Sequence, residues 1–234
     1  MKDDKLLQSI RERYKEAADA ESNQREQMLS DIMFENGEQW EEKARNEREH
    51  DNRPSLVINK VSGVIKQIVG DQRQARPGIK VRPVDNQSDP KVAELLTGLI
   101  RNIENVSDAD NAYDCSFEDA VRAGLGYFRI LTEYSDDTAF EQEIIIDAVE
   151  NPFTVYQDPY SRKIDGSDAK YYIVTEKLSK DEFEKTYPDA TPSSGDGDYD
   201  DSWISDEEIR VAEYWWIEEK THTLALLADG RTVS

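Results

Sequence analysis

Apolar residues recur at helical spacing from the start of the chain. Leu6, Leu7, Ile10, Tyr14 and Ala17 fall on one face of a helix over residues 4–20. Ser22 can cap a second helix that carries Met28, Ile32 and Met33 towards Phe34, with Gly37 as its stop signal. Trp40 follows, with a large ring to anchor the turn against the core. The stretch 41–52 is almost wholly polar and has little reason to pack. A third helix is expected to open at Arg53-Pro54-Ser55. Ile58, Val61, Val64, Ile65 and Ile68 make its stripe, and it should end before Pro77, because the residue preceding proline avoids the α region. Residues 78–84 alternate Ile79, Val81 and Pro83 against Lys80 and Arg82, which predicts a short strand, with Pro83 at its end or on an edge.

Asp89-Pro90 is a helix start, with a capping carboxylate and then proline in the first turn. Val92, Leu95, Leu96, Leu99, Ile100 and Ile103 form its apolar face. A second helix, about 110–123, turns Tyr113, Phe117, Ala120 and Val121 inward and ends at Gly124 and Gly126. The short connection predicts an antiparallel helix pair. From there the period changes to two. Residues 127–134 and 143–149 read as a hairpin around Asp136 and Asp137. Residues 153–157 and 170–175 read as further strands, and Ser179 caps a brief helix ended by Pro188. Residues 208–219 alternate Ile209, Val211, Glu213, Trp215 and Ile217 on one face, with 221–227 expected as their hairpin partner. A strand beginning at Arg231, after an Asp229-Gly230 turn, suggests a chain truncated at 234 inside a longer protein.

The fold class expected from this order is α+β, with N-terminal helices and a helix pair packed with a mostly antiparallel sheet. Three regions follow: 1–52, N-terminal helices; 53–126, helical with one short strand; and 127–234, mainly β with an acidic loop at 189–202. That loop contains no Leu, Ile, Val or Phe.

Charge changes the picture. The net charge is −22, yet residues 1–82 balance 16 basic against 16 acidic side chains, and residues 83–234 hold 13 against 35. The acidic part repels phosphate, which speaks against tight sequence-independent DNA binding but not against a wall past which DNA slides. The plainer reading of the charge is solubility. Arg53, Lys60, Lys66, Arg73, Arg76, Lys80 and Arg82 form the one basic concentration. It reads either as a basic stripe or, preferably, as ion pairing with acidic residues of a neighbouring subunit. The single cysteine, Cys115, excludes an internal disulfide and is expected on the buried side of a helix. No apolar run is long enough to span a membrane.

The sequence assigns no catalytic, cofactor-binding or metal-binding residue. Asp196, Asp198, Asp200 and Glu207 match positions 1, 3, 5 and 12 of a calcium loop, but Asp201 stands where the sharp turn needs glycine, so a solvated acidic loop is the better reading. Gly124-Leu125-Gly126 is too short for a dinucleotide fingerprint and precedes a strand instead of following one. His50 and His222 are isolated. Trp215-Trp216 reads as a sheet-face anchor in preference to a base-stacking platform.

Four stretches, in this order and spacing, resemble the portal proteins of short-tailed phages of the kind that infect Salmonella. The first is Asp31-Ile32-Met33-Phe34 with Glu38-Gln39-Trp40. The second is Arg53-Pro54 through Val69, then Arg73-Gln74 and Val81-Arg82-Pro83. The third runs from Asp119 through Ala123-Gly124-Leu125-Gly126 to Ile130. The fourth is Asp158-Pro159-Tyr160-Ser161-Arg162-Lys163 with Ser167-Asp168-Ala169-Lys170, then Phe183 to Tyr187. The resemblance implies a structural subunit, not an enzyme, and no cofactor. It implies a dodecameric ring at one capsid vertex, with terminase, capsid or scaffold, and head-completion proteins as partners. Double-stranded DNA would pass through without sequence-specific binding. The location implied is the virion, after assembly in the host bacterial cytoplasm, with no membrane. This chain would be most of the N-terminal, wing-like part. A metal-dependent nuclease and an acidic calcium-binding or adaptor module are the alternatives in other classes.

The composition of 189–202 predicts that limited proteolysis cuts there first, because those residues bury too little apolar area to offset their ordering entropy. Strong hydrogen-exchange protection of these amides would contradict it.

Overall fold

The computed structural model describes residues 2–84, 89–135, 140–163, 165–190, 203–205, 207–219, 225–226 and 232–233. Its contacts divide the chain into two units. One is continuous, Glu21–Phe153; the other joins Met1–Ala20 to Thr154–Ser234. The mixture of helices and small antiparallel sheets is an α+β fold, as expected. The expected loop 189–202 lies, from residue 191 on, outside the described residues, as does most of the expected partner strand 221–227.

The two N-terminal helices expected from the sequence are one, α1 (Lys2–Glu35). Ser22 does not cap it. A Glu21–Arg25 ion pair of 2.8 Å, one helical turn apart, bridges that position and favours continuation. Gly37 does end it: φ is +103°, and Glu38 N–H bonds the Met33 carbonyl at 2.9 Å.

The polar stretch that follows is helical too, as α2 (Glu42–His50), with no buried residue. Side chains fix it instead. The Arg48 guanidinium lies over the Trp40 ring at 4.7 Å and donates to the Pro54 carbonyl at 2.8 Å. The Trp40 indole N–H donates to the Leu56 carbonyl at 3.1 Å. These bonds hold residues 53–60 out of helical geometry, so α3 (Val61–Gln74) starts later than its apolar stripe suggests. The Asn59 side-chain Oδ1 accepts from the first amides of that helix, Val61 and Ser62, at 3.2 and 3.4 Å. The strand expected over 78–84 is absent. That segment is bracketed by Pro77 and Pro83, which have no N–H to donate, and the Val81 amide goes to the Thr97 hydroxyl on the next helix at 3.1 Å.

Asp89 caps α4 (Pro90–Val106) by accepting from the Lys91 amide at 2.8 Å. Ser107 and Asp108 alone separate it from α5 (Ala109–Ala123). The strands β1 (Phe128–Tyr134) and β2 (Gln142–Ala148) form the expected antiparallel hairpin, in register from Phe128↔Ala148 to Tyr134↔Gln142. Ala109, Ala112 and Ile146 make the core of this unit, with Ile103, Tyr113 and Ala148 around it. The inward residues of α5 are therefore small. Tyr113 packs against that core as expected, Phe117 and Val121 are half-buried, and Ala120 is exposed, contrary to expectation.

In the discontinuous unit, β3 (Val155–Gln157), β4 (Tyr171–Ser179) and β5 (Glu208–Trp216) form an antiparallel sheet with β4 central. A 3-10 turn, Pro152–Thr154, precedes it. The first part of α1 lies on the face that carries Tyr156, Tyr171, Ile173 and Tyr214. Tyr14 meets Tyr156 hydroxyl to hydroxyl at 3.2 Å, and Arg13 sits over Tyr171 at 5.1 Å. Ser179 caps α6 (Lys180–Thr186), accepting from the Glu182 amide at 3.3 Å; Phe183 is its buried residue. The expected hairpin of 208–219 with 221–227 is not formed by the described residues. β5 pairs with β4, and β6 (Ala225–Leu226) pairs with β7 (Thr232–Val233).

Gly124 and Gly126 do different work. Gly124 has φ +89° at the end of α5, where Ala120 accepts its amide at 2.9 Å. Gly126 does not have positive φ; a Cβ there would lie 1.7 Å from the Ser116 carbonyl oxygen. Gly126→Ala is expected to lose about 1–3 kcal/mol by overpacking against backbone. Gly124→Asn should keep most of the stability, because asparagine tolerates the left-handed region. Urea melts of the two variants check this, and equal losses would contradict the division.

Candidate functional site

The basic concentration of the sequence divides in two. Arg73 and Arg76, at the end of α3 and just beyond it, turn onto α5. Arg76 reaches the Asp114 carboxylate at 2.5 Å and also pairs with Asp110. Arg73 meets Asp114 at 3.1 Å and Glu118 at 3.4 Å. Asp114 is buried, and two guanidiniums offset the removal of its charge from water. These arginines were expected to pair with a neighbouring subunit; their partners are instead carboxylates of the same unit. The reason is geometric: α5 carries Asp110, Asp114 and Glu118 at four-residue spacing, a ready-made acidic stripe beside α3. Arg53, Lys60, Lys66, Lys80 and Arg82 are exposed, and among the described residues they form no ion pair.

Lys80 and Arg82 flank Val81, whose amide ties that segment to Thr97 of α4. The predicted apolar face of α4 is buried only in part: Ile103 packs against the core and Ile100 is half-buried. Ala93 and Thr97 are its buried residues. Val92, Leu95, Leu96 and Leu99 are exposed, Leu95 to 68%. Sequence reasoning took the larger side chains as the inward ones. The signal it missed is the small pair Ala93 and Thr97 at i, i+4, which permits close approach on that flank. The β1–β2 hairpin likewise exposes apolar side chains, on the face shared by Phe128, Ile130, Tyr134 and Ile144. Ile130 and Tyr134 are 61% and 63% exposed, and Phe128 and Ile144 are exposed as well. Glu133 and Glu143 stand directly opposite each other on the two strands, like charge against like.

The discontinuous unit has a second constructed feature, the loop 158–170. The buried Asp158 carboxylate accepts from the Tyr160 and Lys170 amides, both at 3.0 Å. Asp168 accepts from the Ser161 hydroxyl at 2.7 Å and from the Arg162 and Lys163 amides at 2.9 and 3.2 Å. The Arg162 amide first, then the Ser161 hydroxyl, hold the Asp168 carboxyl down at about 2. The loop thus presents Tyr160, Arg162 and Lys163 to solvent on a turn fixed by two carboxylates. The Tyr160 hydroxyl donates to Glu16 at 2.6 Å, and that bond raises its pKa.

Other residues singled out by sequence are placed as follows. Cys115 is half-buried on α5; burial, then the carboxylates of Asp119 and Glu118, push its thiol pKa up. Trp215 and Trp216 are half-exposed on β5, not buried anchors, and Trp216 stacks on Tyr214 at 5.3 Å. Of the calcium-loop candidates, Asp196, Asp198 and Asp200 lie outside the described residues. Among the described residues no group of three His, Cys, Asp or Glu could hold a metal ion. The chemistry on offer is recognition: an exposed apolar flank on α4, exposed apolar side chains on the hairpin, exposed cations on the segment tied to Thr97, and a rigid polar loop.

The profile of the phage P22-like portal protein family matches residues 11–234. A portal protein of Acyrthosiphon pisum secondary endosymbiont phage 1 is 29% identical over 175 residues, which cover 72% of this chain and 24% of that protein. The chain thus spans about a quarter of the length of this curated relative.

Arg76→Ala is expected to cost about 1–3 kcal/mol, since it strips a charged hydrogen bond from buried Asp114. Lys66→Ala should stay within about 0.5 kcal/mol, as exposed substitutions do. Urea denaturation of both variants compares them; equal stabilities would show that the Arg76–Asp114 contact holds nothing together.

Proposed function

This chain belongs to the phage P22-like portal protein family, and we propose that it forms the outer, wing-like part of a portal ring subunit. The ring is a conduit at one capsid vertex through which double-stranded DNA enters during packaging and leaves during ejection. The role is structural and not enzymatic. The observation that carries this reading is the family match over nearly the whole chain.

The charge supports it. A surface with 35 acidic against 13 basic side chains beyond residue 82 repels phosphate, which suits a wall that DNA passes without adhering. The partners in this reading are identical copies in a closed ring, taken as dodecameric, together with terminase, capsid or scaffold, and head-completion proteins. The ring is assembled in the host bacterial cytoplasm and resides in the virion. Among the described residues no helix is long and apolar enough to cross a membrane.

Electron microscopy and mass measurement of the full-length protein across a salt series test the reading. Closed rings are expected, with assembly weakening as salt screens exposed charges over roughly 10 Å at 0.1 M. A strictly monomeric full-length protein at high concentration and low salt would overturn it. Metal-dependent cleavage of plasmid DNA by the pure protein would point instead to an enzyme.

A further inference from the structure

Two backbone edges with strand geometry are left open among the described residues. The first belongs to residues 53–60, which run without turn or bend. One side of this segment is held: Arg48 donates to the Pro54 carbonyl at 2.8 Å and the Trp40 indole N–H to the Leu56 carbonyl at 3.1 Å. Carbonyls two residues apart that point the same way mark an extended backbone, so Ser55 and Val57 turn their amides and carbonyls to the other side. No strand lies on that side among the described residues. Leu56, Ile58 and Lys60 share one face of the segment and are exposed, the two apolar residues to 76% and 79%. The second edge is the outer side of β5, the last strand of its sheet. The Ile217 amide donates to the Lys170 carbonyl at 3.0 Å, in step with the β4–β5 register. Odd-numbered residues of β5 thus turn their backbone groups to β4, while Tyr214 and Trp216 turn theirs outward. Ile204 and Ser205 lie on that edge only at its Glu208 end. Glu213, Trp215 and Ile217 share one exposed face at the other end.

We infer that residues 55–60 of one copy add as an antiparallel strand to the outer edge of β5 of a second copy. Backbone direction restricts the register, because Ser55 and Val57 must stand opposite even-numbered residues of β5. One register that meets this condition sets Lys60 opposite Glu213, Ile58 opposite Trp215 and Leu56 opposite Ile217, all on one face. Val57 then stands opposite Trp216 and exchanges backbone hydrogen bonds with it. A shift of two residues either way would set Ile58 against Glu213 or Leu56 against Glu219. Pro54, which has no N–H, falls on the side held by Arg48, where no amide is needed. A second copy is the fitting occupant because the two edges are different and match each other in hydrogen bonding, apolar pairing and charge. Two unlike, complementary surfaces on each subunit are what a closed ring requires. The inference rests on the ring reading above and names the edges that meet.

The test uses the full-length protein with Cys115→Ser as its background. Copies carrying Ile58→Cys and copies carrying Trp215→Cys are produced together, oxidised mildly and weighed under denaturing conditions. Opposed residues that are not hydrogen-bonded to each other have Cα atoms about 4.5 Å apart, within reach of a disulfide. Covalently linked pairs of chains are therefore expected, and expected again from Leu56→Cys with Ile217→Cys. Leu56→Cys with Trp215→Cys should link about tenfold less, since the two-residue offset of roughly 7 Å exceeds that reach. A charge exchange adds a second arm, read as particle mass over a concentration series. Lys60→Glu should raise the concentration needed for association about fivefold, by setting like charges across the strands. Glu213→Lys in the same chain should restore it, which also shows that the variants fold. If wild type forms rings and neither in-register mixture links, this assignment of edges is wrong while the ring reading stands. If the offset mixture links as readily as the others, or Glu213→Lys restores nothing, the register is wrong and the assignment falls with it. If wild type forms no rings, the ring reading itself falls, and this inference with it.

Discussion

The continuous unit depends on close approach at α5. Ala109 and Ala112 present only methyl groups towards Ile146 of β2, so the helix can lie tight against the hairpin. Just past its end the chain folds back so that Gly126 lies close to the Ser116 carbonyl, and no side chain fits there. Small residues thus settle which flank of each helix is inside, and larger ones are displaced. The same holds for α4, where Ala93 and Thr97 face the interior. The buried set of the described residues is rich in alanine and contains no leucine, while Leu56, Leu95, Leu96 and Leu99 are all exposed. Area outside the core is where the molecule holds apolar contact in reserve.

Local chemistry was the legible part of the sequence. Asp89, Ser179, Gly37 and Gly124 act as the caps and stops their types suggest, because each decision is made within a few residues. The alternation of β1, β4 and β5 was readable for the same reason. What failed depended on partners far along the chain. Residues 53–60 have helical spacing, yet Trp40 and Arg48 hold their carbonyls in another geometry. The strand pattern at 78–84 is present, but no strand lies beside it and Thr97 takes its central amide. The inward flank of α4 misled because hydrophobicity was read where size decided. Of the candidate site, the basic residues were found, but their division into paired and free members was not. That division depends on α5 lying beside α3.

Charge is therefore used in two distinct ways. Arg73 and Arg76 are consumed inside the unit, where they neutralise a buried carboxylate and fasten α3 to α5. Lys80 and Arg82 remain outside, exposed and without an ion pair among the described residues. The loop 158–170 shows a third arrangement, in which Asp158 and Asp168 bind amides instead of cations and so shape the backbone directly. A net charge alone would not distinguish these roles.

The discontinuity of one unit bears on how the chain acquires its structure. Residues 21–153 are contiguous, so that unit can be complete while the later strands are still being synthesised. Residues 1–20 emerge before that unit, yet their partners, β3, β4 and β5, emerge after it. Tyr14 must wait for Tyr156, and Arg13 for Tyr171, across about 140–160 positions of nascent chain. Residues 1–20 are therefore made before that unit and settle after it. The loop that must close to settle it is shortened in space by an already folded insert, which lowers the entropy lost on closure.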